Sequence, residues 1–214
     1  MNSKVNKKEN YSSVLLAAGT SSRMKQWKPG ILLNNKPLLF YSLKTLSEVC
    51  NEVIIVGGYN FEKLLRLTDE FSNKYNFPLI CVENKNYLSG MFSSVKKGIE
   101  NVTADNIFIA LSDIPFVKSE TYIKMIDCFE TTETKPDIIY PSFSGNESGI
   151  KKRGHPVLIT KRIKQRIINE TGDVILSHLL HEFKGIDCAV NDKGINFDID
   201  TETDFENAQK YFSD

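Results

Sequence analysis

Residues Val14 to Lys28 read VLLAAGTSSRMKQWK. The stretch begins as an apolar strand, Ser13 to Ala18, and breaks at Gly19 into a loop of small hydroxyl residues, Thr20-Ser21-Ser22. Two cations follow, Arg23 and Lys28. A strand that ends in small residues lets a ligand come close to the backbone. Freed N–H groups beyond it can point at anionic oxygens. Arg23 offers a planar fork suited to phosphate and Lys28 a mobile point charge. The stretch reads as a triphosphate cradle at the end of a strand.

Outward from the cradle, short apolar runs alternate with helical patterns. Lys36-Pro37-Leu38-Leu39 reads as a helix start, with Pro37 in the first turn and an apolar stripe at Leu38, Leu39, Leu43, Leu46 and Val49. Strands are expected at 52–56, 79–82, 107–111 and 137–140, and helices at 61–74 and 91–100. Ser119 is expected to cap the next helix, with Tyr122 at its third position. Ser142 to Gly154 is polar and glycine-rich, which predicts a mobile surface loop. Strands at 155–159, 186–190 and 196–199 are interleaved with helices at 161–169, 174–183 and 203–212. This alternation predicts an α/β fold with a mainly parallel sheet covered on both faces. Ligands of such sheets bind beyond the carboxyl ends of the strands. Gly19, Gly57, the loop after Val82 and Asp113 should therefore open onto one crevice. Residues 1–12 read as a flexible polar tail and 13–214 as one domain.

Several side chains could carry chemistry there. Asp113 follows an apolar strand and precedes Ile114-Pro115, so it suits either a magnesium ligand or a turn cap. Alternation along Asp198-Ile199-Asp200 puts both carboxylates on one side. With Asp113 they could clamp one ion, or they could cap the closing helix; Thr201 is the alternative cap. His155, in Gly154-His155-Pro156, suits a substrate contact or a plain turn. Lys151-Lys152-Arg153 reads as a solvated charge run, or as a contact to a second anionic substrate if the loop covers the crevice. His178 and His181 lie three apart on a helix with no third ligand in view. The chain has no Gly-x-x-x-x-Gly-Lys-Ser/Thr, no Gly-x-Gly-x-x-Gly in the first loop, and no Gly-x-Ser-x-Gly elbow.

Composition narrows the partners. The 214 residues hold 27 basic and 27 acidic side chains, 41% hydrophobic and 25% charged residues. That balance gives no sign of a nucleic-acid or membrane partner, and no apolar run reaches the roughly 20 residues of a spanning helix. Cys50, Cys81, Cys128 and Cys188 are widely spaced, as expected of reduced thiols. A cytoplasmic location is expected.

LAAGTSSRM at 16–24, Lys28, KPLL at 36–39, NKNYLSGMFSSVKKGI at 84–99, SDIP at 112–115, GHPVLIT at 154–160 and DIDTETDF at 198–205 together resemble the MobA-like nucleotidyltransferases. SSRMKQWK and GHPVLI are most similar to the branch that acts on molybdenum cofactor with CTP. The resemblance implies a Rossmann-like nucleotide-diphospho-sugar transferase fold. It implies CMP transfer from CTP to a molybdopterin-type acceptor with magnesium as cofactor, and a molybdenum hydroxylase as a candidate partner. It makes Leu16, Ala17, Ala18, Gly19, Gly90 and Ser94 nucleotide-binding. Arg23 and Lys28 become triphosphate cations with a catalytic role, Asp113 a catalytic metal ligand and Asp200 the second ligand, with Asp198 as a helper. Gly154, His155 and Pro156 fall on the acceptor side. Ala18, where guanylyl members carry glycine, resembles the cytidylyl members. The chain departs from the family at Lys25, where glycine is usual, at Pro29-Gly30, and at Gly172-Asp173-Val174. Other phosphorylated acceptors, and a non-catalytic cofactor-binding chaperone, are the competing expectations.

Overall fold

The structure, a computed structural model, describes residues 10–20, 23–24, 26–144, 151–172 and 174–211. Its strands are β1 (Tyr11–Ala17), β2 (Leu32–Leu33), β3 (Lys36–Pro37), β4 (Glu52–Gly57), β5 (Ile80–Glu83), β6 (Asn106–Leu111), β7 (Ile138–Phe143), β8 (Lys152–Arg153), β9 (Val157–Ile159) and β10 (Gly185–Ala189). Its helices are α1 (Leu39–Val49), α2 (Phe61–Tyr75), α3 (Met91–Ile99), α4 (Ser119–Thr131), α5 (Lys161–Ile168), α6 (Leu176–His181) and α7 (Glu202–Tyr211). The main sheet runs β10-β7-β9-β6-β1-β4-β5, with β8 paired to β7. β1 is parallel to both β4 and β6, and β9 runs antiparallel between β6 and β7.

All seven residues of β1 are buried, as befits a central strand covered on both faces. Successive side chains point to opposite faces. Leu15 joins Leu39, Phe40, Leu43, Phe71 and Met125 on the face covered by α1, α2 and α4. Val14 and Leu16 join Val95, Ile99, Ile163 and Leu179 on the face covered by α3, α5 and α6. The buried hydroxyls of β1 are satisfied: Ser12 donates to Glu52 at 2.9 Å and Ser13 to the Phe108 carbonyl at 3.2 Å. A third cluster joins Met24, Ile31, Leu33 and Leu38 to Phe116, Ile199 and Ala208. It fastens the loop after β1 to the C-terminal segment.

The structure departs from the sequence reading at defined places. Lys36-Pro37 belongs to a two-stranded ribbon with Leu32-Leu33 and not to a helix. Asn34 and Asn35, with φ of 48° and 58°, form its two-residue turn. Ser119 is the first helical residue of α4 and not its cap; the N–H of Lys118 and the hydroxyl of Thr121 both donate to Asp192, at 2.9 and 2.7 Å. Ser142 and Phe143 finish β7 and pair with Arg153 and Lys152, so those ends of the expected loop are sheet. Residues 145–150 of that loop lie outside the described residues. The strand expected at 196–199 is a 3-10 turn, Lys193–Asn196, followed by chain without regular secondary structure. The chain turns there on Asp192, which accepts from Gly194 N–H at 2.9 Å. β1 begins at Tyr11, whose ring is buried; residues 1–9 of the expected tail lie outside the described residues.

Candidate active site

From β1 the chain crosses to β4 on one side and later returns to β6 on the other. Where strand order reverses in this way, a crevice forms beyond the carboxyl ends. A cleft of about 350 Å³ lies there. Leu16, Ala17, Ala18, Gly19, Arg23, Lys28, Gly90, Ser94, Asp113 and Asp200 all line it. Gly90 opens α3 at φ 101°, a conformation that favours glycine. Asn84 fixes that entry: its amide donates to Ser93 and Ser94, at 2.9 and 3.0 Å, and its oxygen accepts from Asn86 N–H at 2.9 Å.

The charges of the cleft are paired with one another. The Lys28 ammonium lies 2.7 Å from Asp200 and 3.3 Å from Asp113, and Arg23 lies 2.7 Å from Asp200. The backbone brings the two carboxylates together, because Ile199 N–H donates to the Asp113 carbonyl at 2.8 Å. Asp113 sits in the turn after β6, with Ile114 N–H bonded to the Leu111 carbonyl. Its carboxylate faces Lys28. Helix α7 fixes Asp200 through a reciprocal cap. Asp204 accepts from Asp200 N–H, Thr201 N–H and the Thr201 hydroxyl at 3.2, 2.8 and 2.7 Å, and Thr201 accepts from Asp204 N–H. The Thr201 hydroxyl, with the two backbone donors, holds the Asp204 carboxyl below its ordinary pKa.

A second cleft of about 530 Å³ adjoins the first and shares Arg23, Met91, Leu111, Asp113 and Asp200 with it. Lys152, Arg153, Gly154, His155 and Asp198 line this side. Arg153 stacks over Tyr140 at 4.2 Å and pairs with Asp187 at 2.6 Å. Gly154 packs so closely on the Ile195 carbonyl that a side chain there would collide. Burial lowers the pKa of His155, opposed by a hydrogen bond to the Ile109 backbone and by Asp113 and Asp198. Among the described residues its Nδ1 has no hydrogen-bond partner.

The expected residues thus converge, with exceptions. Pro156 is buried and lines neither cleft. Gly57 does not open onto the crevice, because Phe61 and Leu64 cover it. His178 and His181 are exposed on α6. Ser21, Ser22, Lys25 and Asp173 lie outside the described residues. Sequence reasoning missed Tyr87 and Met91 as lining residues and Asn84 and Asp204 as positioning ones. An Asn three residues before a Tyr, and an acid three after Thr201, were the available signals. Burial pushes the Cys81 thiol up to about 11 and Cys188 up to about 12, so neither is a nucleophile at neutral pH. Among the described residues no helix is long and apolar enough to cross a membrane.

Residues 13–186 match the model of the MobA-like NTP transferase domain. The chain is 25% identical to molybdenum cofactor cytidylyltransferase of Escherichia coli K12, over 94% of this chain and 96% of that protein. It is 26% identical to a probable molybdenum cofactor guanylyltransferase of Natranaerobius thermophilus, over 95% and 97%. The crystal structure of Rv0371c from Mycobacterium tuberculosis H37Rv shares the fold, with a TM-score of 0.73, 20% identity, and coverage of 93% of this chain and 97% of that one. The same mycobacterial protein has also been solved in complex with manganese. The cleft lies at the sheet's switch point, the family model covers most of the chain, and this chain belongs to the MobA-like NTP transferase family.

Proposed function

We propose that this nucleotidyltransferase moves CMP from CTP to a molybdopterin-type acceptor and releases pyrophosphate. The observation that carries the proposal is the position of Lys28, between Asp113 and Asp200, where two clefts meet. One cleft has the small-residue floor that a nucleotide needs, and the other carries Lys152 and Arg153 beside His155.

The terminal phosphate oxygen of the acceptor attacks the α-phosphorus of CTP. A new P–O bond forms, the bond to the bridging oxygen breaks, and pyrophosphate leaves with that electron pair. Phosphate is already nucleophilic near neutral pH, so the chain need only position the reactants and neutralise charge. Asp113 and Asp200 both reach Lys28, so one small cation could reach both; phosphate and water would complete its shell. A divalent cation held there, magnesium in this reading, would offset triphosphate charge. Arg23 and Lys28, paired with the same carboxylates, are the groups that turn to the phosphate oxygens.

Ala18 lines the nucleotide cleft, and its methyl group leaves less room beside the base than glycine would, which favours the smaller pyrimidine. Guanylyl transfer is the second reading, favoured by the name of the Natranaerobius relative. Pyrophosphate release, measured with each of the four NTPs, molybdenum cofactor and magnesium, separates the two. Release with CTP, abolished by chelation, is expected. Release with GTP alone would transfer the assignment to the guanylyl reading.

A further inference from the structure

Two open depressions, of about 370 and 560 Å³, flank the loop that carries Lys28. They share Gln26, Gly30 and Ile31, and so form one strip running from α2 to α7. The centre of the strip is apolar. The Trp27 ring lies on Gly30, where a Cβ would meet two of its carbons at 2.9 and 3.0 Å. Leu67 extends the apolar floor toward α2 and Phe205 toward α7. Leu32 stands 58% exposed on the α7 side. A contiguous apolar strip rimmed by charge marks an interaction surface. The two ends of this one differ in sign. Lys63 and Arg66, with Glu70, leave the α2 end net positive, while Glu202 and Glu206 make the α7 end negative. Among the described residues Lys63, Arg66 and Glu206 have no ion-pair partner.

We infer that this strip is the contact face of a homodimer, with a second copy of the chain docked on it across a two-fold axis. A two-fold axis sets one patch against itself, so the patch must be its own complement. Turned end for end, the cations on α2 of one protomer meet the carboxylates on α7 of its partner, and the same pairing repeats at the other end. Leu32 of each copy then closes over the apolar centre. Other occupants fit only one end. A small anion or an acidic segment would pair with α2 and be repelled at α7, and a basic segment would do the reverse. A reversed copy matches both ends and covers the centre with no third component.

The test is analytical ultracentrifugation of the full chain over a range of concentrations. The wild type should pass from monomer to dimer as concentration rises. Leu32→Glu sets a charge in the apolar centre and should weaken dimerisation about tenfold or more. Arg66→Glu and Glu206→Arg each bring like charges together at both ends, and each should weaken it by about as much. Mixed with one another, these two charge variants should form a dimer again, because each reversed charge then faces its opposite. All three positions are exposed, so the substitutions leave the core intact. Recovery in the mixture also shows that both charge variants are folded. A wild type that stays monomeric at every concentration, a dimer indifferent to Leu32→Glu, or a mixture no more dimeric than its components overturns the inference.

Discussion

Lys28 holds its ammonium between two carboxylates while only 14% of its side chain is exposed. Removing it leaves Asp113 and Asp200 facing each other without their shared cation and takes a positive charge from the leaving pyrophosphate. Lys28→Ala and Asp113→Ala should each cost about 3 kcal/mol of transition-state stabilisation, on the order of a hundredfold or more in kcat/KM. Steady-state kinetics with CTP check this, and near-full turnover by Asp113→Ala would remove its assignment as metal ligand. Gly154 makes a separate prediction. Its missing side chain is what allows the close approach to the Ile195 carbonyl, and backbone cannot move aside cheaply. Gly154→Ala should lower stability by about 1–3 kcal/mol, seen as a lower urea midpoint. His155 gives a pH signature. Burial depresses its folded pKa below the ordinary 6.5, so between those values the unfolded chain binds more protons. Its contribution is intact above about pH 6.5 and is lost as pH falls through the folded value. Thermal melts of His155→Phe should show a shallower decline below about pH 6.5 than the wild type.

At the scale of elements, the closing helix α7 couples stability to the site. Its cap, Thr201 with Asp204, also holds the backbone of Asp200. Asp204→Ala should cost about 1 kcal/mol of stability, the usual worth of a cap. It should also weaken the metal dependence of turnover, because Asp200 loses its anchor; a magnesium titration reads this. Thr201 was legible as a cap because Ser/Thr followed three residues on by an acid is a local signature. The Ser119 cap was misread because its replacement, Asp192, comes from 71 residues away from Thr121. Pro37 was misread because proline suits a first helical turn as well as a strand edge. Asn34-Asn35 held the correct signal, a pair that tolerates positive φ.

For the molecule as a whole, short apolar runs and period-3.6 stripes were enough to give alternating strands and helices, and a parallel sheet then places its ligands at the strand ends. That is why Gly19 and Asp113 could be put in one crevice from sequence, while Gly57, placed there by the same rule, is covered by Phe61 and Leu64. What the patterns could not give was pairing across the chain. The Ile199–Asp113 hydrogen bond and the cluster joining Met24 and Ile31 to Ala208 depend on where α7 returns. Only that return brings Asp200 onto Lys28. An apolar cavity walled by Phe92, Ile109, Val157 and Leu180 was invisible for the same reason, since its wall is drawn from α3, β6, β9 and α6. The central claim is that one site joins CTP to a molybdopterin-type acceptor. Its most direct test is incubation of the full chain with CTP, magnesium and molybdenum cofactor, followed by mass spectrometry of the extracted cofactor. The account predicts a cytosine dinucleotide that is lost in Asp113→Ala. A folded wild-type protein that hydrolyses or binds CTP yet leaves the cofactor unmodified would contradict it.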